Sequence, residues 1–288
     1  MAYLGRYINM DASVERRRAL EAQFARLGCA DRYQRFPGVD GRRLERGQAT
    51  ILPGELGCFT SHFRCLQQTL AEDAHVHVVE DDVVFGPRSL PILEMGLEDV
   101  FADFEMLFTD VFVPGDMNTL LALMNGYRAS GMLDRAPGAP PAQPRFLTYL
   151  DLQHASFAAT ASYVVRKDAR PKLLALMEAE LAQGATAPID VFFKTIVADG
   201  RIRAACTVPF LTAVDVASAT GSTIEDRGQH RRSALAFFLL RNYFYIDKDE
   251  AMLKSLADGL GADLPDPGFM DTLVAAFKFI FSGQFEPF

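Results

Sequence analysis

Hydrophobic positions along this chain alternate between short strand-like runs and stripes at helical spacing, with turn-forming residues at the switches. An extended segment over residues 2–9 predicts an opening strand. A helix follows from near Asp11 or Ser13, either of which has the chemistry to cap it, with Glu15 in the first turn. Leu20, Phe24 and Leu27 recur at helical spacing, and Gly28 supplies the stop. A short strand over 32–36 closes at Pro37-Gly38 and Asp40-Gly41. The next helix begins near Pro53-Gly54-Glu55. Leu56, Phe59, Phe63, Leu66 and Leu70 line one of its stripes, and Glu55, Cys58, His62 and Cys65 line the neighbouring one. Two adjacent stripes predict a helix covered on two sides, whose polar members pair inside the fold or face a cleft. For His62 taken alone, a buried imidazole donating to a backbone carbonyl is the simpler expectation.

The sharpest break in the pattern comes next. Val76-His77-Val78-Val79 runs straight into Glu80-Asp81-Asp82, followed by Val83-Val84-Phe85. Three ionised carboxylates at the end of a buried strand repel one another and are costly to hold together without a compensating charge. A hard divalent cation with oxygen ligands, Mg²⁺ or Mn²⁺, is the natural compensator and keeps open positions for the phosphates of a nucleotide. A solvated acidic turn is the alternative.

Farther along, residues 105–113 read as a strand in which Asp110 interrupts an apolar run, as a site residue or as a polar strand-edge position. The proline-rich stretch 136–144 is excluded from helix and ladder, because proline lacks the N–H and fixes φ, so it reads as a surface loop or a lid. Strands are expected over 145–150 and 157–165, then a helix over 168–182 ending at Gly184. Pro188-Ile189-Asp190 opens another helix, where an acid gains from the dipole whatever else it does. Strands alternating with helices predict an α/β domain.

Composition narrows the class. The 288 residues are 49% hydrophobic, enough for a large core, and the net charge of −8 with pI near 5.2 argues against a nucleic-acid partner. A small anionic substrate then needs a metal or a local basic patch. The four cysteines show neither Cys-x-x-Cys spacing nor a zinc pattern and read as reduced thiols, which suits a reducing compartment. The N-terminal residues lack the apolar core of a signal peptide, and no apolar run is long enough to span a bilayer, so a cytoplasmic protein is expected.

Several segments together carry a resemblance: Ile8-Asn9-Met10 with Ser13 and Glu15-Arg16-Arg17, Phe36-Pro37-Gly38-Val39-Asp40-Gly41, Gly54-Glu55-Leu56-Gly57-Cys58 with Ser61-His62, and Glu80-Asp81-Asp82-Val83. In order and spacing, and with Ala161-Ser162-Tyr163-Val164-Val165, Pro188-Ile189-Asp190, Val208-Pro209 and Ser222-Thr223-Ile224 behind them, the sequence resembles glycosyltransferase family 25 over residues 3–226. This is the family of lipooligosaccharide galactosyltransferases, related also to collagen hydroxylysine galactosyltransferases. The resemblance implies a GT-A-like (Rossmann-like) domain over 1–226, a mostly parallel sheet flanked by helices, with 227–288 as a helical C-terminal extension. It implies a metal-dependent, inverting transfer of a hexose, galactose favoured, from a UDP-sugar to a hydroxyl of a glycan or lipooligosaccharide-type acceptor, at the inner face of the inner membrane.

On that analogy Asp82 ligates the metal, joined by Glu80 if the chain is still extended, since alternate residues share a face. Asp81 bonds ribose or sugar hydroxyls. Asn9, Ser13 and Arg16 hold the uridine and its phosphates, and Glu55 and His62 shape the donor pocket. Asp190 is the candidate base and Asp110 the reserve. A catalytically silent relative that binds sugar nucleotide or a protein partner is the alternative. A phosphotransferase using a post-strand aspartate as nucleophile is disfavoured, because Glu80 stands in that position. The dense apolar residues of the tail, 235–240 and 277–281, are expected to pack on the domain, on a second copy or on a membrane surface.

Overall fold

The computed structural model describes residues 3–45, 47–113, 116–132, 147–158, 160–215 and 238–259. The proline-rich stretch 136–144, Ser222-Thr223-Ile224, Leu235 to Phe237 and the 277–281 cluster lie outside the described residues.

The elements run β1 (Tyr3–Asn9), α1 (Val14–Arg26), β2 (Tyr33–Pro37), α2 (Pro53–Gln67), β3 (His75–Glu80), β4 (Val83–Phe85), α3 (Ser89–Asp103), β5 (Met106–Phe108), α4 (Met117–Ala129), β6 (Thr148–Asp151), β7 (Ser162–Val165), α5 (Arg170–Ala182), α6 (Ile189–Ala198), β8 (Ala204–Val208) and β9 (Thr212–Val214). A further helix covers Glu250–Gly259. The main sheet has the order β2-β1-β3-β7-β5-β8-β6, and β4 pairs with β9 apart from it. β2, β1, β3, β5 and β8 run one way, while β7 and the edge strand β6 run against them. This is the mostly parallel, helix-flanked α/β sheet that the sequence predicts, and it is compatible with a Rossmann-like glycosyltransferase fold.

Period-two alternation assigns the two faces. Val76 and Val78 of β3, Met106 and Phe108 of β5 and Tyr163 and Val165 of β7 face one core, shared with Phe59 and Leu66 of α2, Leu173 and Met177 of α5 and Phe193 and Ile196 of α6. Val79, Leu107 and Val164, the intervening residues, face a second core built with Leu20 and Phe24 of α1 and Leu93 and Leu97 of α3. Each such apolar side chain taken fully out of water contributes ~1.5–3 kcal/mol. Between the strands runs a buried polar chain. Tyr33 OH lies 2.7 Å from His77 Nδ1, His77 Nε2 lies 2.8 Å from Ser162 Oγ, and Thr109 Oγ1 donates to Ser162 Oγ at 2.6 Å. Burial pushes the His77 imidazole down to about 3, so it is neutral and satisfied at both nitrogens.

Several local expectations are corrected. Ser13 stands at the N-cap of α1 without a side-chain cap bond, and Asp11 instead accepts from Arg35 Nη2 at 2.6 Å. α2 ends at Gln67, which leaves Leu70 48% exposed rather than on the buried stripe. The strand expected over 105–113 is only Met106–Phe108, because Thr109 turns its carbonyl to Leu211 N and ends the ladder. Likewise β7 begins at Ser162, with an isolated bridge from Phe112 to Ala158 before it. Beyond Phe238, the described residues Leu239, Leu240 and Phe244 lie in one core of this same chain, and Tyr245 and Ile246 in the other. Phe210 N donates to Phe244 O at 2.9 Å, and Ile246 N to Phe210 O at 2.9 Å.

One close approach fixes the loop after β2 against α2. A Cβ on Gly57 would lie 2.6 Å from both Gly41 N and Val39 O, backbone atoms with no freedom to swing aside. The loop is further held by Val39 N donating to Ser61 Oγ at 2.8 Å. Gly57→Ala is therefore expected to destabilise the protein by roughly 2 kcal/mol and lower Tm by about 4–8 °C in thermal unfolding. An unchanged Tm would show that the loop yields freely.

Candidate active site

β1 and β3 are parallel neighbours with Ile8 opposite Glu80, so their carboxyl ends bring Asn9 and the acidic run to the same edge. Open α/β sheets bind their ligands outside such ends. Here a cavity of about 350 Å³ lies against them, lined by Ile8, Met10, Ser13 and Arg16 after β1, by Gly38 to Arg42, by Gly54, Cys58, Ser61 and His62 of α2, and by Glu80, Asp81 and Asp82.

Asn9 is buried behind this wall and acts as a relay. Arg35 Nε donates to its Oδ1 at 3.0 Å, which turns its Nδ2 toward Asp81 Oδ2 at 2.7 Å and Ser13 O at 3.0 Å. Arg16 Nη1 reaches the other oxygen of Asp81 at 3.3 Å and stands 3.9 Å from Asp82 Oδ2. Asp81 is thus gripped from both sides, although burial leaves its carboxyl above the usual aspartate value.

Glu80 and Asp82 are shifted in opposite directions. Burial works against ionised Glu80, but His62, Thr160 and Arg241 outweigh it and hold Glu80 below the ordinary glutamate value. Asp82 is pushed up to about 7 by burial and by the charge of Glu80, with Arg241 and Arg16 compensating in part. The two acids titrate as a unit in which one proton competes with whatever cation is present. Glu80 Oε1 and Asp82 Oδ1 are buried and have no hydrogen-bond partner among the described residues. Two orphaned carboxylate oxygens beside a cavity are a hard-donor set that fits Mg²⁺ or Mn²⁺.

The remaining sequence candidates divide. His62 is buried; its Nδ1 lies 2.9 Å from Tyr163 OH rather than on a backbone carbonyl, and its Nε2 lies 3.4 Å from Glu80 Oε1. Glu55 caps α2, its Oε2 accepting from Leu52 N at 2.8 Å, and it stands outside the cavity lining. Asp190, in the first turn of α6, accepts from Val191 N at 2.9 Å. Burial raises its carboxyl above the ordinary value, and Glu55 and Glu80 add to the effect, so it feels the acidic site without lining the cavity. Asp110 is fully buried and accepts a hydrogen bond from Arg241 Nε.

Arg241 is the residue that the sequence reading missed. It belongs to the helical residues 238–243, pairs with Asp110 and adds positive charge near Glu80 and Asp82. A signal was present: Arg241 and Asp110 each interrupt an apolar run, and a buried charge demands an opposite one.

The raised value of Asp82 has a consequence for stability. The folded chain holds this proton more tightly than the unfolded chain does, so stability falls as pH rises from the ordinary aspartate value of 3.8 to about 7. Asp82→Asn removes that loss. In excess EDTA it is expected to raise Tm at pH 8 by a few degrees, roughly 1–3 kcal/mol, and to give no gain near pH 4. A lower Tm at pH 8 would mean that the carboxylate is stabilising as it stands.

The family model described as glycosyltransferase family 25 (LPS biosynthesis protein) matches residues 6–192, a span that holds every residue lining the cavity. A Drosophila pseudoobscura pseudoobscura protein named glycosyltransferase 25 family member is similar at 31% identity, over 28% of this chain and 16% of that protein. The aligned stretch is thus about a sixth of that relative's length. With the family's model matching well over half of its residues, around the very cavity where the carboxylates gather, the chain belongs to glycosyltransferase family 25.

Proposed function

We propose that the chain is a metal-dependent hexosyltransferase that moves a sugar, galactose favoured, from a UDP donor to a hydroxyl of a glycan of the lipooligosaccharide type. The observation that carries this reading is the Glu80–Asp82 pair, which lines a cavity of about 350 Å³ at the carboxyl end of β3 and keeps on each acid a buried oxygen without a hydrogen bond among the described residues. A cavity of that size suits a nucleotide-sugar head. Glu80 and Asp82 would hold Mn²⁺ or Mg²⁺, and the ion when bound supplies Lewis-acid stabilisation of charge on the departing diphosphate. Arg16 adds a cation on the same side, where its guanidinium orients phosphate oxygens while it fixes Asp81.

Inversion requires a base on the acceptor side to take the hydroxyl proton as the oxygen attacks. Asp190 suits this role, since its carboxyl is more basic than an ordinary aspartate and stands within the field of the acidic site. Asp110 is the poorer candidate, because full burial and the bond from Arg241 leave it no path to an acceptor. The GT-A type of fold and a place at the cytoplasmic face of a membrane belong to the same proposal. Among the described residues no helix is long and apolar enough to cross a membrane.

Incubation with UDP-galactose and Mn²⁺ is expected to release UDP slowly even without acceptor, and excess EDTA or Asp82→Asn to reduce release at least 100-fold. Donor binding without any UDP release, with or without added glycans, would favour the silent binding relative. Asp190→Asn is expected to lower kcat by about 10²–10⁴ while donor affinity stays within about twofold. Full activity in that variant would remove Asp190 from the mechanism.

A further inference from the structure

We propose that Cys58, His62 and Glu80 form a site for one borderline divalent transition ion of the zinc or cobalt class, open to the cavity and differing from the hard acid pair in Cys58 and His62, while sharing with it the Oε1 of Glu80. Cys58 and His62 are one helical turn apart on α2, and their side chains meet the end of β3. One thiol sulfur, one imidazole nitrogen and one carboxylate oxygen of the three residues all lie within 4.8 Å of one another. Around a tetrahedral ion with bonds of this class, ligand atoms stand ~3.3–3.8 Å apart, so side-chain rotation of about 1 Å closes the set.

The imidazole is already prepared for it. Tyr163 OH, 2.9 Å from Nδ1, fixes the ring, and Nε2 faces Glu80 Oε1 at 3.4 Å. Both of these facing atoms are buried without a hydrogen-bond partner among the described residues, and an ion between them satisfies the two at once. Ligating histidines usually carry such a bond on the far nitrogen. A simple His62–Glu80 ion pair would leave Cys58 without a part.

The donor types choose the ion. Thiolate with imidazole and one carboxylate favours zinc or cobalt over magnesium, whereas the oxygens of Glu80 and Asp82 favour the hard ions. Cys58, His62 and Glu80 all line the cavity, so three protein ligands leave a fourth position for an oxygen of a bound diphosphate or hydroxyl. Binding transfers the thiol proton to solvent and forms a metal–sulfur bond, with no change in oxidation state.

Cobalt reports such a site directly. Titration of the full chain with Co²⁺ is expected to give one equivalent of tetrahedral cobalt with a near-ultraviolet thiolate charge-transfer band. Cys58→Ser should abolish that band, His62→Gln should weaken binding at least tenfold, and Asp82→Asn should leave the band in place. In the unaltered protein Zn²⁺ should slow iodoacetamide alkylation of Cys58 at least tenfold, a measurement that needs no variant to fold. Cobalt binding without the thiolate band, a band that survives Cys58→Ser, or alkylation indifferent to zinc overturns the proposal. UDP release reads the transfer reaction separately: turnover without the band defeats only this site, and the band without turnover defeats only the transfer.

Discussion

Repulsion among three carboxylates at the end of β3 is the constraint around which this end of the molecule is organised. Each acid meets a different answer. Asp81 is held by Asn9 and Arg16, Glu80 faces His62, and Asp82, 3.9 Å from Arg16, is only partly compensated and rises toward neutrality. Clustered charge at the mouth of a cavity is what a cation or a polyanionic ligand with its counterion would relieve. The strain is therefore held where ligand binding can release it.

The scaffold makes this clustering tolerable through parts that never touch the cavity. Arg35 on β2 orients Asn9 on β1, and Asn9 in turn orients Asp81 after β3, so three adjacent strands pass a single orientation across the sheet. The opposite wall depends on backbone contact between the Gly41 loop and Gly57 of α2, which brings Cys58, Ser61 and His62 up to the cavity. From beyond the span matched by the family, Arg241 reaches back to neutralise Asp110 and to weigh on the acids. Residues 238–246 thereby contribute charge to the site as well as apolar surface to the core.

Much of the site was legible because its signals are local. An apolar run that stops at three acids marks a strand end, and Ser13, Arg16 and His62 sit at positions after β1 and along α2 that line the same cavity. Glu55, Asn9, Asp110 and Asp190 do not line it; the helix start at Pro188 and the apolar run broken at Asp110 hint at their structural parts, whereas Asn9 and Glu55 have no local mark that separates a relay or a cap from a pocket residue. The helices α3 and α4 went unassigned. Gly96 in α3 and Gly126 in α4 weaken the helical signal, and both answer to tertiary packing, since a Cβ on Gly96 would lie 2.4 Å from Tyr149 OH and one on Gly126 3.0 Å from Thr148 Oγ1.

The sequence by itself determined the first strand–helix units, the helix from Pro53 and the existence of an acidic strand end, because periodicity and turn chemistry act within a few residues. Only the tertiary structure decided that Arg241 answers Asp110 across 131 positions and that Cys58 and His62 meet Glu80. Those meetings follow from the order of the strands and the docking of α2. Both are set by the summed packing of two cores, a quantity to which every buried residue contributes and which no short stretch of sequence carries.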